Sequence, residues 1–223
     1  MKMMKMEQGT LFQISFFLLL IMATISAVPH DCTEIQRKNK NAISGLYVIK
    51  PEQSPPLVVN CVMRSNGSWT VIQRNSKYSK ITWTESWTTY KYGFGDVLND
   101  HWLGNEYIHL LTRQARYKLR IEFTDNKNKI KYAEYSSFYL EHENDKYTIR
   151  LGHFSGGVVT NTITDNQKFT TKDKDNDNYQ RCCATSRGGW WYDACGSVYL
   201  NYKYPYWSGL TIQKVTMMIQ PTC

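Results

Sequence analysis

Beyond its first 22 residues, this 223-residue chain has no apolar run approaching the length that spans a bilayer, which excludes an internal membrane helix. It has no HExxH zinc spacing, no GxSxG nucleophile elbow and no Walker loop. Its five histidines, at 30, 101, 109, 142 and 153, are scattered, and spacing brings no pair of its 19 acids together across a substrate. The chain reads as a non-enzyme. No nucleic-acid motif is present, and an export signal argues further against such a partner. Heptads, Gly-X-Y triplets and internal repeats are also missing. Only a few residues, through His30 and Asp31, precede the first mature cysteine, so any multimer is expected to form through the domain itself.

Residues 1–27 differ in kind from the rest. Lys2 and Lys5 precede an apolar run from Leu11 to Met22, and the small residues Ala23, Ser26 and Ala27 follow. This layout predicts a secretory signal peptide cut after Ala27, with a domain over 28–223 that is secreted, extracellular and not stably inserted in a membrane. An uncleaved anchor is the alternative, because Ile25 is large for its place before the cut. Removing two lysines and one glutamate lowers the formal charge by one, from +8 to +7. Such a charge suits acidic glycans or anionic surfaces, and it also serves ordinary solubility. Lys127, Lys129 and Lys131 would line one face of a strand, and a solvated edge is the simpler reading.

Aromatics make up 14% of the chain, including 16 tyrosines and 7 tryptophans, a composition that favours a packed core over disorder. Gly45 to Ile49, Trp69 to Gln73 and Tyr117 to Phe123 read as strands, the last alternating apolar and charged residues. Ser54-Pro55-Pro56 and Asn66-Gly67 carry turn chemistry. Trp83 to Tyr92 and Asn105 to Gln114 have helical spacing. The mixture predicts an α+β fold. Six cysteines, at 32, 61, 182, 183, 195 and 223, suit an oxidising compartment, and spacing alone leaves every pairing open. Asn66-Gly67-Ser68 is a glycosylation acceptor at Asn66, or a plain turn.

The chemistry concentrates between Phe169 and Cys195, where Asp173, Asp175 and Asp177 alternate just before Cys182 and Cys183. Carboxylates so spaced repel one another unless a cation or solvent screens them, which points to calcium or to a solvated acidic turn. An EF-hand does not fit. Asn178 stands where that loop needs glycine, and Ala184 stands where it needs a carboxylate.

DKDNDNYQRCCA followed by GGWWYDAC resembles the calcium loop and disulfide of fibrinogen C-terminal-like domains, the module of fibrinogen chains, ficolins, tachylectins, angiopoietins and tenascins. GLYVIKP, WTVIQR, YGFGDVLNDHWLGNEYIHLLT and YAEYSSFYL extend the likeness over most of the chain. The resemblance implies a globular domain with a central, mostly antiparallel sheet, short helices and a loop-rich calcium- and ligand-binding subdomain. It implies the disulfides Cys32 with Cys61 and Cys183 with Cys195. Cys182 and Cys223 are left to bridge the loop to the C-terminus or to link two chains. It further implies calcium held by the Asp175 and Asp177 side chains and the Tyr179 and Arg181 carbonyls, with Asp173 a solvated or outer acid.

In lectin-like relatives the ligand pocket surrounds an unusual cis peptide, here placed between Ala194 and Cys195. Gly196 replaces a histidine of that pocket, Ser186 or Arg187 falls where a tyrosine often sits, and the following loop is shorter by roughly twenty residues. Tyr202, Tyr204, Tyr206 and Trp207 then either rebuild a sugar-stacking wall or cover the core. Two functions stay open. One is a calcium-binding, lectin-like recognition module for surface glycans or acetylated ligands in innate defence. The other is a protein-binding receptor ligand or matrix module, which the altered pocket favours.

Overall fold

The computed structural model describes residues 27–157 and 160–222. The expected leader through residue 26, together with Val158, Val159 and Cys223, lies outside the described residues. The chain opens with helix α1 (Cys32–Lys38), started by Asp31, whose carboxylate accepts the Glu34 amide at 2.9 Å. No sequence expectation covers this helix, although Asp31 followed three residues later by Glu34 is a start signal. Cys32 is bridged to Cys61, fastening α1 to the sheet.

Strands β1 (Gly45–Ile49), β2 (Leu57–Val62) and β3 (Trp69–Ser76) follow as consecutive antiparallel neighbours. Helix α2 (Trp87–Tyr92) is shorter than the expected helix from Trp83. Trp83 takes a left-handed φ of 63°, and the helix begins only where Ser86 caps the Thr89 amide. The short pair β4 (Phe94–Gly95) and β5 (His101–Trp102) joins β3, and helix α3 (Asn105–Arg113) turns Ile108 and Leu111 inward at the expected spacing.

β6 (Tyr117–Thr124) buries Tyr117, Leu119, Ile121 and Phe123 and leaves the residues between them half-buried, as its alternation predicts. It pairs with β7 (Ile130–Leu140), which continues to β8 (Ile149–Leu151) and β9 (Phe154–Gly156). The last strand, β12 (Lys214–Pro221), enters between β3 and β6 and pairs antiparallel with both. The sheet order is therefore β1-β2-β3-β12-β6-β7-β8, an open antiparallel array and not a closed barrel.

One face of this sheet carries the main core, with Val215, Met217 and Ile219 of β12 set against Phe123, Ile121 and Leu119. On the other face Trp69, Val71 and Met218 form a small apolar cluster beside a charged lattice. There Glu122 accepts two hydrogen bonds from Arg64 at 2.8 Å and one from Arg120 at 2.8 Å, and Arg120 also reaches Glu134. Burial alone would raise the Glu122 pKa, but the two guanidinium groups outweigh it and hold the carboxyl below its ordinary value. The stability this contributes is present above the unfolded carboxyl pKa of about 4.3 and is lost as pH falls through the lower folded value. Urea melts between about pH 2 and pH 7 should show Glu122→Gln less stable than wild type near neutrality, with the difference shrinking on acidification. A constant difference across that range would show that the ion pairs contribute nothing.

Candidate functional site

The segment after β9 forms few regular ladders, and buried side chains hold it in place. Phe169 is the hub: its ring lies 5.2 Å from Tyr90, 5.9 Å from Trp102 and 5.2 Å from Trp191. An isolated bridge pairs Thr170 with Trp190, and the Trp191 indole donates to the Tyr147 carbonyl. Three buried amides tie the far side to the sheet. Gln73 donates to Asn201 and the Leu200 carbonyl, Asn75 donates to the Leu200 and Tyr202 carbonyls, and Asn201 donates to the Gly189 carbonyl. Gly188 is required there, because its φ is +79° and a Cβ would meet the Asn201 carbonyl at 2.1 Å.

On this support the three acids separate in role. Asp173 accepts the Trp87 amide and the Thr171 hydroxyl, each at 2.8 Å, and so holds the start of α2. Burial pushes its carboxyl upward, but these hydrogen bonds outweigh it and leave the pKa below the usual value. Asp175 and Asp177 converge: their carboxylate oxygens and the Cys182 sulfur lie within 4.8 Å of one another. Asp177 also accepts the Tyr179 amide at 2.9 Å and the Cys183 amide at 3.0 Å, which arches the loop around it. Burial raises the Asp177 pKa, and the Asp175 charge raises it further.

Two carboxylates whose charges oppose each other fit a hard cation such as calcium. Cys182 does not belong to that donor set. Burial raises its pKa, and its thiol donates to the Thr171 carbonyl at 3.4 Å. Among the described residues it has no disulfide partner, while Cys183 is bridged to Cys195. No hydrogen bond among the described residues uses the Tyr179 or Arg181 carbonyl.

A cleft of about 160 Å³ opens beside this loop, with Thr162 and Thr164 on one side and Trp191, Asp193, Ala194 and Gly196 on the other. The Asn178 amide donates to the Asp193 carbonyl, which ties the acid loop to the cleft wall. Two expectations fail here. The Ala194–Cys195 peptide is not cis; the turn reverses through Cys195 at φ +52°, and the Arg187 guanidinium clamps the Cys195 carbonyl at 2.6 Å. Trp207 does not face a ligand. It sits in strand β11 (Tyr206–Trp207), paired with β10 (Val198–Tyr199), is 0% exposed and packs its ring 5.0 Å from Phe123.

Its tyrosine neighbours do reach solvent. Tyr206 stacks on Tyr199 at 5.0 Å, Tyr202 meets both Tyr199 and Tyr204, and the Arg187 side chain, from helix α4 (Ala184–Arg187), covers Tyr199 at 4.8 Å. Tyr204 is 59% exposed and Tyr206 40%. Thr162, Thr164 and Tyr199 are the members that sequence reasoning did not single out. The run Tyr199, Tyr202, Tyr204, Tyr206 carried a usable signal for the last, whereas nothing local marks the threonines.

The family described as "Fibrinogen beta and gamma chains, C-terminal globular domain" matches residues 28–221. The chain belongs to this family. Fibrinogen-like protein 1-like protein of Gallus gallus is 50% identical over 199 residues, covering 84% of this chain and 70% of that one. Angiopoietin-related protein 7 of Mus musculus is 43% identical over 182 residues, covering 78% of this chain and 53% of its own, so this chain spans about half that relative's length. The fibrinogen-like globe domain of human ANGPTL2 superposes with a TM-score of 0.81 at 35% identity, covering 87% of this chain and 100% of that one. Lamprey fibrin D-dimer, in complex with the peptide Gly-His-Arg-Pro-amide, gives a TM-score of 0.81 at 28% identity, covering 96% of this chain and 84% of its own.

The buried position of Trp207 in this fibrinogen-like domain makes a clear prediction. Trp207→Ala should cost about 3 to 5 kcal/mol by leaving a cavity against Phe123, read as a lower melting temperature. An unchanged melting temperature would return Trp207 to the surface.

Proposed function

We propose that this chain is an extracellular recognition module that binds a protein partner through the tyrosine and arginine patch beside the cleft. The observation that carries this reading is the ring cluster of Tyr199, Tyr202, Tyr204 and Tyr206, with Tyr204 and Tyr206 exposed and Tyr199 covered by Arg187. Tyrosine and arginine are the residues that concentrate binding energy at protein interfaces, because they bury large, stiff surfaces and still satisfy their polar ends. The similarity to angiopoietin-related proteins supports the same reading, with a receptor ligand or matrix component as its cellular form.

A lectin-like function for acetylated or other surface glycans in innate defence is the second reading. It draws on Tyr204 and Tyr206, since a sugar face stacks on any suitably placed ring. Gly196 weakens it by offering no side chain to the pocket, although open space surrounds its Cα. Biolayer interferometry against a panel of receptor ectodomains, run beside a glycan array, separates the two. The protein reading expects an ectodomain whose binding weakens about thirtyfold in Tyr204→Ala/Tyr206→Ala, the loss of an interface hot spot. Array binding to N-acetylated sugars that the double variant abolishes, with no ectodomain bound, would replace it.

The supporting features are part of the same proposal. The chain enters the secretory pathway, loses residues 1–27, and carries a glycan on Asn66, which lies in an exposed turn. No helix among the described residues is long and apolar enough to cross a membrane. Calcium, held by the Asp175 and Asp177 side chains with the Tyr179 and Arg181 carbonyls, supplies positive charge that relieves their repulsion and steadies the cleft wall. A chelator should then lower the melting temperature of wild type, by the equivalent of about 2.7 kcal/mol when calcium stands at one hundred times its dissociation constant, and leave Asp177→Ala unmoved. A wild-type melting temperature indifferent to chelator would mean a solvated acidic turn. Cys182 is half-buried with its thiol on the Thr171 carbonyl, so a disulfide-linked dimer would use Cys223. On a non-reducing gel, Cys223→Ser should then abolish a dimer band and Cys182→Ser should not.

A further inference from the structure

The hairpin that joins β6 to β7 is built around Asp125. Its carboxylate accepts the Lys127 amide at 2.8 Å and the Lys129 amide at 2.9 Å, and its amide donates to the Lys129 carbonyl. Asn128 closes the turn at a left-handed φ of 58°. The lysines expected along a strand edge are therefore presented by a fixed turn, with Lys131 alone on the strand proper. Lys131 stands directly across from Phe123, on the face of the sheet that packs Trp207.

That placement turns Lys131 toward the 209–211 loop, and between loop and hairpin lies an open cleft of about 430 Å³ with Lys127, Lys129 and Lys131 in its lining. None of the residues assigned above to cation or partner binding lines it. Some cations of this domain are matched to acids, as in Arg64 with Glu122, Lys91 with Glu143 and Arg150 with Glu141. The three cleft lysines make no salt bridge among the described residues. Asp125, the one acid in the lining, is already committed to the amides of the turn.

We propose that this lysine cleft binds a sulfated polysaccharide chain of the glycosaminoglycan type. Three lysines against the single Asp125 leave the lining with a net positive charge, which attracts a polyanion, and a short lysine-rich run is a recurrent form of such a patch. The lining holds no arginine, so it lacks the planar fork that selects carboxylates in pairs. Lysine ammonium groups are point charges that accept a sulfate from many directions, which suits a flexible, densely sulfated chain. An open, polar cleft also fits a thin polymer better than a flat protein face. The site is separate from the tyrosine patch, so either assignment can fail without the other.

The test is surface plasmon resonance on immobilised heparin with the whole mature chain at about 0.15 M salt, repeated across a salt series. Lys127→Gln/Lys129→Gln/Lys131→Gln should weaken binding at least about tenfold and flatten the salt dependence by roughly two to three neutralised charges, as counterion release from a polyanion requires. A control with the same charge change, Lys38→Gln/Lys40→Gln/Lys50→Gln, removes exposed lysines outside the cleft and should change it little. Fully desulfated heparin should bind poorly, and inorganic sulfate at matched ionic strength should not displace heparin. Equal losses in the two triple variants would show net charge alone at work and overturn the proposal. So would no binding to heparin, equal binding to the desulfated chain, displacement by free sulfate, or equally tight cleft-dependent binding to immobilised polyglutamate, which would mark an acidic protein as the occupant.

Discussion

The strand that comes last in the chain lies in the middle of the sheet. β12 pairs with β3 on one side and β6 on the other, and six of its eight residues are buried. Without it, β1 to β3 and β6 to β9 would be two separate antiparallel pieces, each with an open edge toward the other. An edge strand leaves a row of backbone donors and acceptors unpaired, and β12 satisfies two such rows at once. A shift between Met217 and Met218 lets it keep register with both neighbours while filling both faces of the sheet.

This insertion also fixes what hangs from the sheet. Phe123 and Val215, adjacent on β6 and β12, are part of the surface against which Trp207 packs. Gln73 and Asn75 on β3 reach the Leu200 to Tyr202 backbone. The loop-rich segment has little secondary structure of its own, so these amides and the aromatic hub at Phe169 carry its position. Buried amides are costly unless each is satisfied, which makes the arrangement selective for one placement of the loops. The acid loop, the cleft and the tyrosine patch inherit their relative geometry from that support.

Much of the local structure was legible in the residues themselves. β6 follows from the alternation of YKLRIEF, and α3 from the spacing of Ile108 and Leu111, because side-chain periodicity mirrors burial on one face. The resemblance to fibrinogen-like domains carried the two disulfides and the convergence of Asp175 with Asp177. Helix α2 was only half legible: its apolar spacing extends back to Trp83, but capping by Ser86 and Asp173 decides where it begins. Asp173 lies far along the chain, and no local pattern couples it to Trp87.

By itself, then, the sequence determined elements such as β6 and α3 and the chemical character of the acid loop, since these depend on neighbours a few residues apart. The tertiary structure decided which aromatics are available to a partner. Trp207 and Tyr206 are adjacent and similar in composition terms, yet pairing of β11 with β10 points one at Phe123 and the other at solvent. It decided likewise that Lys131 meets the 209–211 loop across Phe123. Both outcomes rest on which face of the sheet a residue occupies, and strand register sets that only when distant segments come together.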